Sequence, residues 1–411
     1  MKSGHGKAIP YHAMFDSAFR KDPFPFYAYL RGTAPVIWDD VLQAWVVTRA
    51  DDVQSILRDA KTCSSNRVSL GRARFSDPEL ESLFDTIERL MLQRDEPDHT
   101  RLRRLVTHAF QKAAIESYAP RVRDLARELI DPRLTTGQIE FVADYAVPLP
   151  ILVISEILGI PPEDRARVKQ WCDDFSIVAL NFYAKITDDQ LHAGREAVAA
   201  FSTYLADQIA ARRGQDGIDL LSFLVEAEEA GERLTFDELL ANTVLLLNAG
   251  NETTSILLVN ALHILATQPD VTAALRGDPT LIPQAVEECL RFTPPVHFLG
   301  RILTRDTTMG GETLRKGDLV MVFLGSAGRD EARFDHADRF ELARTKVAQL
   351  SFGSGPHVCA GLQLARLEGC VTIETMLRAF SDIRLATTDL SYAPNLNLRC
   401  FERLPLKLTP A

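Results

Sequence analysis

The chain has 411 residues, 46% hydrophobic and 25% charged, an ordinary globular composition. Its net charge of −10 excludes a general nucleic-acid surface. Six cysteines form no CxxC pair or disulfide framework, no run approaches the roughly 20 apolar residues of a membrane span, and the N-terminus lacks a signal-peptide core; a reducing, cytoplasmic setting without a membrane anchor is expected.

No repeat or Pro/Gly/Ser linker divides the sequence, so one domain over residues 1–411 is expected. "PVIWDDVLQAWVVTR" reads as a hairpin turning at Asp39-Asp40. Helical periodicity then dominates, over Asp51–Asp59, Glu96–Phe110, Ala114–Leu129, Pro162–Asn181, Asp188–Arg213, Asp219–Ala230, Phe236–Thr267, Leu281–Phe292 and Gln363–Phe380. Between the last two, "RILTRDTTMGGETLRKGDLVMVF" has strand character punctuated by Gly310-Gly311 and Lys316-Gly317. Short strands should close the C-terminus. The fold class is mainly α with small segregated β-sheets.

Phe236–Thr267 stands out. Thr235 and Glu238 fit a capping box, Leu234 can staple onto Leu239, and Pro269 limits the far end. At 1.5 Å per residue the segment is about 50 Å long, and it is apolar on nearly every face, so it belongs at the centre. Yet its middle reads Asn248-Ala249-Gly250-Asn251-Glu252-Thr253-Thr254. Glycine costs roughly 1 kcal/mol in a helix interior, and a buried charge costs more unless paired. Such an interruption points to function.

A second unusual stretch is "SFGSGPHVCAGLQLARLEGC". Gly353, Gly355 and Gly361 surround Cys359, and a helix follows. Glycines let backbone approach a flat partner, and a helix N-terminus favours a thiolate. Zinc is disfavoured, since His357 and Cys359 have no second pair at finger-like spacing.

Phe352-Gly353-Ser354-Gly355-Pro356-His357-Val358-Cys359-Ala360-Gly361 resembles the haem-binding signature F-G-x-G-x-H-x-C-x-G of the cytochrome P-450 family, with all six fixed positions present. Ala360 departs from the leucine common there. In family order, Ala249–Thr254 resembles the oxygen-binding A-G-x-[DE]-T-T, and Glu288-Cys289-Leu290-Arg291 the E-x-x-R pair. Arg339 in "DHADRF" is similar to the meander arginine that completes the pair's ion network. "DEPDHTRLRRLVTHAF" resembles the helix that reaches the haem propionates.

The resemblance implies a fold with haem b between the long central helix and the helix after the Cys359 loop. It makes Cys359 the iron ligand and His99, Arg103, Arg301 and His357 the propionate contacts. Phe352, Gly353, Gly361, Ala249 and Gly250 would line the haem, and Glu288, Arg291 and Arg339 would form a buried ionic lock. Thr253 and Glu252 would deliver protons to oxygen. The implied activity is that of an oxidoreductase: a monooxygenase inserting one atom of O2 into a C–H or C=C bond.

Leu245, Asn248, Val296, His297, Leu299 and Leu398 would line the substrate pocket, under a roof drawn from Cys63–Leu92, Ser176–Lys185 and Leu396–Phe401. The sequence carries no flavin or nicotinamide module and no ferredoxin cluster spacing, so NAD(P)H-derived electrons are expected through a separate ferredoxin and ferredoxin reductase, or a flavodoxin. Arg101 and Arg104 could form part of the docking face. A haem-thiolate nitric oxide reductase and a non-catalytic haem sensor or auxiliary protein are the competing readings; Glu252 argues against the first, and Cys359, Glu252 and Thr253 together against the second.

Overall fold

The computed structural model describes residues 17–75, 77–179, 186–215, 217, 219–229, 235–344, 348–395 and 397–411. The long apolar segment runs through the middle of the larger core as two helices, α3 (Phe236–Ala249) and α4 (Glu252–Thr267), parted at Gly250-Asn251. Its start is fixed by the expected box. The Thr235 hydroxyl accepts from the Glu238 N–H at 3.2 Å, and a Glu238 carboxylate oxygen accepts from the Thr235 N–H at 3.0 Å. Leu234 lies outside the described residues. Pro269 opens the next helix, Pro269–Gly277, where its missing N–H costs nothing.

Side chains from Leu239 to Asn248 and from Thr254 to Leu262 are buried without a break. The buried amides have partners: Asn242 accepts from the Met91 N–H at 2.8 Å, and Asn260 donates to the Thr293 carbonyl at 2.9 Å. Around this axis pack α2 (Arg165–Ala179) on α3, and α5 (Ile282–Phe292) and α6 (Leu362–Ala379) on α4; α1 (Asp98–Ala109) begins close to α3, as the Arg101 contact described below shows.

The sheets stand apart from this helical core. Five strands run in the order β1 (Val36–Asp39), β2 (Ala44–Val47), β5 (Leu319–Val322), β4 (Leu299–Leu303), β3 (Cys63–Ser64). The expected hairpin is β1–β2, with Val36 opposite Val47 and Asp39 opposite Ala44; Asp39 closes its turn by accepting from the Val41 and Leu42 N–H groups, both at 2.9 Å. Gly310 and Gly311, at φ +58° and +83°, turn a small separate hairpin of Thr307–Met309 and Glu312–Leu314. Gln138–Glu140, Pro405–Pro410 and Phe380–Leu385 make a third sheet.

Among the described residues, five helices of seven residues or more escaped periodicity: Phe24–Thr33, Val68–Arg74, Glu81–Arg89, Pro148–Leu158 and Pro269–Gly277. Pro148–Leu158 (PLPILVISEIL) shows why, since a helix buried on most faces has no polar stripe to mark its period.

Candidate active site

The Cys359 loop is folded by its own backbone. The Cys359 N–H donates to the Phe352 carbonyl at 2.8 Å, Gly353 to Leu350 at 2.8 Å and Val358 to Gly355 at 3.1 Å. Gly353 and Gly355 adopt φ of +74° and +75°, which L side chains resist. Gly355 also has no room: a Cβ there would lie 2.6 Å from the Leu57 carbonyl oxygen. A Cβ on Gly361 would meet no chain atom within 4 Å.

Burial pushes the Cys359 thiol up, while the Gly361 N–H and the guanidinium groups of Arg103 and Arg366 pull it down. The loop N–H and the two guanidinium groups favour the thiolate as the sequence reading expects, while burial opposes it; a bound iron would add to the favourable side.

Next to the loop lies a concentration of positive charge. The His99 and His357 rings sit with centroids 3.9 Å apart, and the buried His99 Nε2 has no hydrogen-bond partner. Arg301, on β4, donates from Nη1 to the Gly300 carbonyl at 2.8 Å; burial lowers its pKa to about 10. Arg103 is likewise lowered, first by burial. Among the described residues, neither arginine has a carboxylate within ion-pair distance. His357 is pushed down to about 2 by burial and then by His99, Arg301, Arg67 and Arg103. Arg67, absent from the sequence reading, is buried beside Gly300, its Cδ 3.2 Å from where a Cβ would stand. Nothing in "SSNRVSL" marks it.

Cations gathered around an orphaned ring nitrogen, beside a glycine-lined thiol, fit a flat dianionic group with a metal at its centre. Haem has this shape and charge.

At the helix break, the Thr253 hydroxyl donates to the Ala249 carbonyl at 2.8 Å, and the Asn251 N–H to the Asn248 carbonyl at 3.1 Å. The hydroxyl proton is thus held by the backbone, while the Thr253 oxygen keeps lone pairs with which to accept. A Cβ on Gly250 would meet only Leu246 O at 3.5 Å and Ile154 Cγ1 at 3.9 Å, so the polypeptide alone does not demand glycine there. Glu252 faces open space yet is hemmed in by protein, and this dehydration raises its pKa; Asp173 raises it further and Lys169, paired with Asp173, lowers it.

Behind the cysteine loop, Glu288 and Arg291 are fully buried and bidentate, with Nε–Oε2 and Nη2–Oε1 both 2.7 Å. Arg291 also donates to the carbonyls of Gly328, Ala337 and Arg339 at 2.8, 2.9 and 2.7 Å. The third ion is Arg344, whose Nε lies 3.2 Å from Glu288. Arg339 is exposed and offers only its carbonyl, which corrects its assignment. Chain spacing near "DRFELAR" leaves two arginines in reach, and packing chooses the later one.

Of the expected pocket residues, Val296 and Leu398 pair across an isolated antiparallel bridge, Leu245 is buried on α3, and Leu299 starts β4 opposite Val322. His297 does not belong with them. It is fully buried on the far side, with Nδ1 2.9 Å from the Tyr27 hydroxyl. Asn248 donates to the Cys172 carbonyl at 2.8 Å, so its amide N–H is satisfied within the protein. Residues 76, 180–185 and 396 of the expected roof lie outside the described residues. Arg101 is held by Glu238, with Nη2–Oε1 2.5 Å, while Arg104 is exposed. Among the described residues, no helix is long and apolar enough to cross a membrane.

The family profile of cytochrome P450 matches residues 151–389. Cytochrome P450 109 of Bacillus spizizenii is 34% identical over 99% of this chain and 97% of its own. The cytochrome P450 monooxygenase PikC of Streptomyces venezuelae is 37% identical over 95% of this chain and 92% of its own. The crystal structure of P450BioI in complex with hexadec-9Z-enoic acid ligated acyl carrier protein is 33% identical and superposes with a TM-score of 0.88, covering 95% of this chain and 99% of that one. With the thiol, the cation cluster and the broken helix on one scaffold, the chain belongs to the cytochrome P450 family and is a haem-thiolate monooxygenase, an oxidoreductase that incorporates oxygen.

Proposed function

We propose that the substrate is a small, largely apolar organic molecule oxidised at a C–H or C=C bond, that the haem is haem b, and that electrons come singly from a separate ferredoxin and its reductase, or a flavodoxin. The observation that carries the oxygenase chemistry is the Thr253 hydroxyl at the break of the central helix, its proton on the Ala249 carbonyl and the raised-pKa Glu252 beside it.

Bound haem, ligated by the Cys359 thiolate, supplies oxygen activation with electron donation from sulfur. The chain's residues surround that event. Arg103, Arg301, His99 and His357 hold the propionates through charge-assisted hydrogen bonds. Gly250, without a side chain, would leave room for the haem beside the helix. Thr253 Oγ1 accepts a hydrogen bond and keeps a proton donor oriented. Glu252, easier to protonate than an exposed carboxylate, passes protons inward from the α2 side, where Lys169 and Asp173 stand. Leu245, Val296, Leu299 and Leu398 form an apolar wall that selects by shape and excludes water. The acyl chain in the P450BioI complex is also largely apolar.

Thr253→Ala tests the reading. It is expected to keep haem and substrate binding while product formed per NAD(P)H falls steeply, toward the roughly 10²-fold loss typical of a removed acid–base group, with hydrogen peroxide taking up the electrons. Product per NAD(P)H at the parent value contradicts it. The substrate for this assay comes from a library screened by haem spin-state change.

A further inference from the structure

Val296 and Leu398 face each other across their bridge, and the alternation of extended chain sends their neighbours His297 and Arg399 to the opposite side. There both are tied down. His297 meets Tyr27, and its N–H donates to the Asn397 carbonyl at 2.7 Å. Arg399 does more. Nε donates to the Arg20 carbonyl at 3.1 Å, Nη1 to the Thr293 hydroxyl at 3.3 Å, and Nη2 to the Lys21 carbonyl at 2.8 Å and the Tyr392 hydroxyl at 2.6 Å. The guanidinium lies 4.0 Å from the Tyr392 ring centroid, and the Arg399 backbone N–H donates to the Pro295 carbonyl at 3.2 Å.

One side chain therefore joins the N-terminal segment, the end of α5 and the hairpin that carries Leu398, closed by an antiparallel bridge between Tyr392 and Phe401. Among the described residues, no carboxylate lies within ion-pair distance of this cation; neutral acceptors and an aromatic face hold it. A planar fork suits four acceptors in fixed directions, which a lysine cannot match.

We infer that Arg399 is a positioning residue for substrate selection: acting through Leu398, it sets how far the hairpin wall leans into the pocket, without touching the substrate. This rests on the reading above that Val296 and Leu398 border the substrate space. Side chains that fix a wall's position act on ligands long enough to reach it and leave shorter ones untouched.

The experiment uses the haem-loaded full chain and two iron-binding probes, imidazole and 4-phenylimidazole, titrated by their shift of the haem absorption band. Imidazole is the shorter probe, and 4-phenylimidazole reaches one ring further from the iron. In Arg399→Met the imidazole Kd is expected within about twofold of the parent, while the 4-phenylimidazole Kd rises about tenfold, the order of a lost apolar contact. Arg399→Lys should fall between. Leu398→Ala should also change the ratio of the two constants.

If Leu398→Ala shifts the ratio and Arg399→Met does not, the positioning role is overturned while the pocket reading stands. If Leu398→Ala leaves the ratio unchanged, the pocket reading fails and the inference with it. Should Arg399→Met fail to load haem, Tyr392→Phe removes one bond of the fork and is expected to shift the ratio about threefold in the same direction; an unchanged ratio there overturns the inference.

Discussion

Gly355 and Gly361 occupy one loop and answer to different constraints. Gly355 sits at φ +75°, with the Leu57 carbonyl where a Cβ would go, so the polypeptide itself requires it. Gly361 has φ −84° and open space, so only a bound group would require it. Gly355→Ala is expected to lower folded yield and stability, by about 1–3 kcal/mol from backbone strain alone. Gly361→Ala should fold normally and bind haem less well. Denaturation midpoints and haem content, measured on both variants, separate the two; equal loss of stability would contradict the assignment. At this scale Cys359, Thr253 and Glu252 were legible because each breaks a local rule: a cysteine among glycines, a carboxylate and hydroxyl in an apolar helix. His297 was misplaced for the opposite reason. Strand alternation gives two faces, and sequence does not say which one meets the pocket.

Elements are locked together by buried ions, one of which comes from far along the chain. Glu288 on α5 meets Arg291 and Arg344 while fully buried. Such a lock adds little net stability, but removing one member strands a charge at a cost of about 3–5 kcal/mol. Glu288→Ala is therefore expected to lose most haem incorporation. Arg344→Ala should be clearly destabilised, and Arg339→Ala, whose guanidinium is exposed, should stay within about 0.5 kcal/mol of the parent. Thermal melts with haem quantitation check this; the reverse order would restore Arg339 to the lock. The α5 pair was visible in Glu-x-x-Arg spacing, whereas Arg344 became visible only when the loop was folded. Helices with a polar stripe were legible, and Pro148–Leu158, buried on most faces, was not.

Part of the whole molecule's acid sensitivity lies in histidines that the fold holds neutral. His263, half-buried near Arg399 and Phe401, is lowered from 6.5 to about 4, and His297, buried near Arg399 and Arg329, lies well below 6.5. In the unfolded chain both titrate near 6.5. Between pH 6.5 and the folded values the unfolded state binds more protons, so their contribution is complete above pH 6.5 and is lost as pH falls; for His263 the loss is complete near pH 4. His263→Gln should flatten this acid limb by about 3 kcal/mol at most, read from denaturation midpoints against pH; an unchanged limb would contradict it. The mainly helical architecture with segregated sheets was readable from periodicity and punctuation. The joining of the N-terminal segment to the C-terminal hairpin through Arg399 was not, because its acceptors are backbone carbonyls and hydroxyls that any sequence offers. The proposed function depends on ligation of iron by the Cys359 sulfur. The direct measurement is the ferrous carbonyl spectrum of freshly purified, haem-loaded protein, with Cys359→Ser beside it. The parent is expected to show the red-shifted band of thiolate coordination and the variant to lack it; a parent without that band would contradict the assignment.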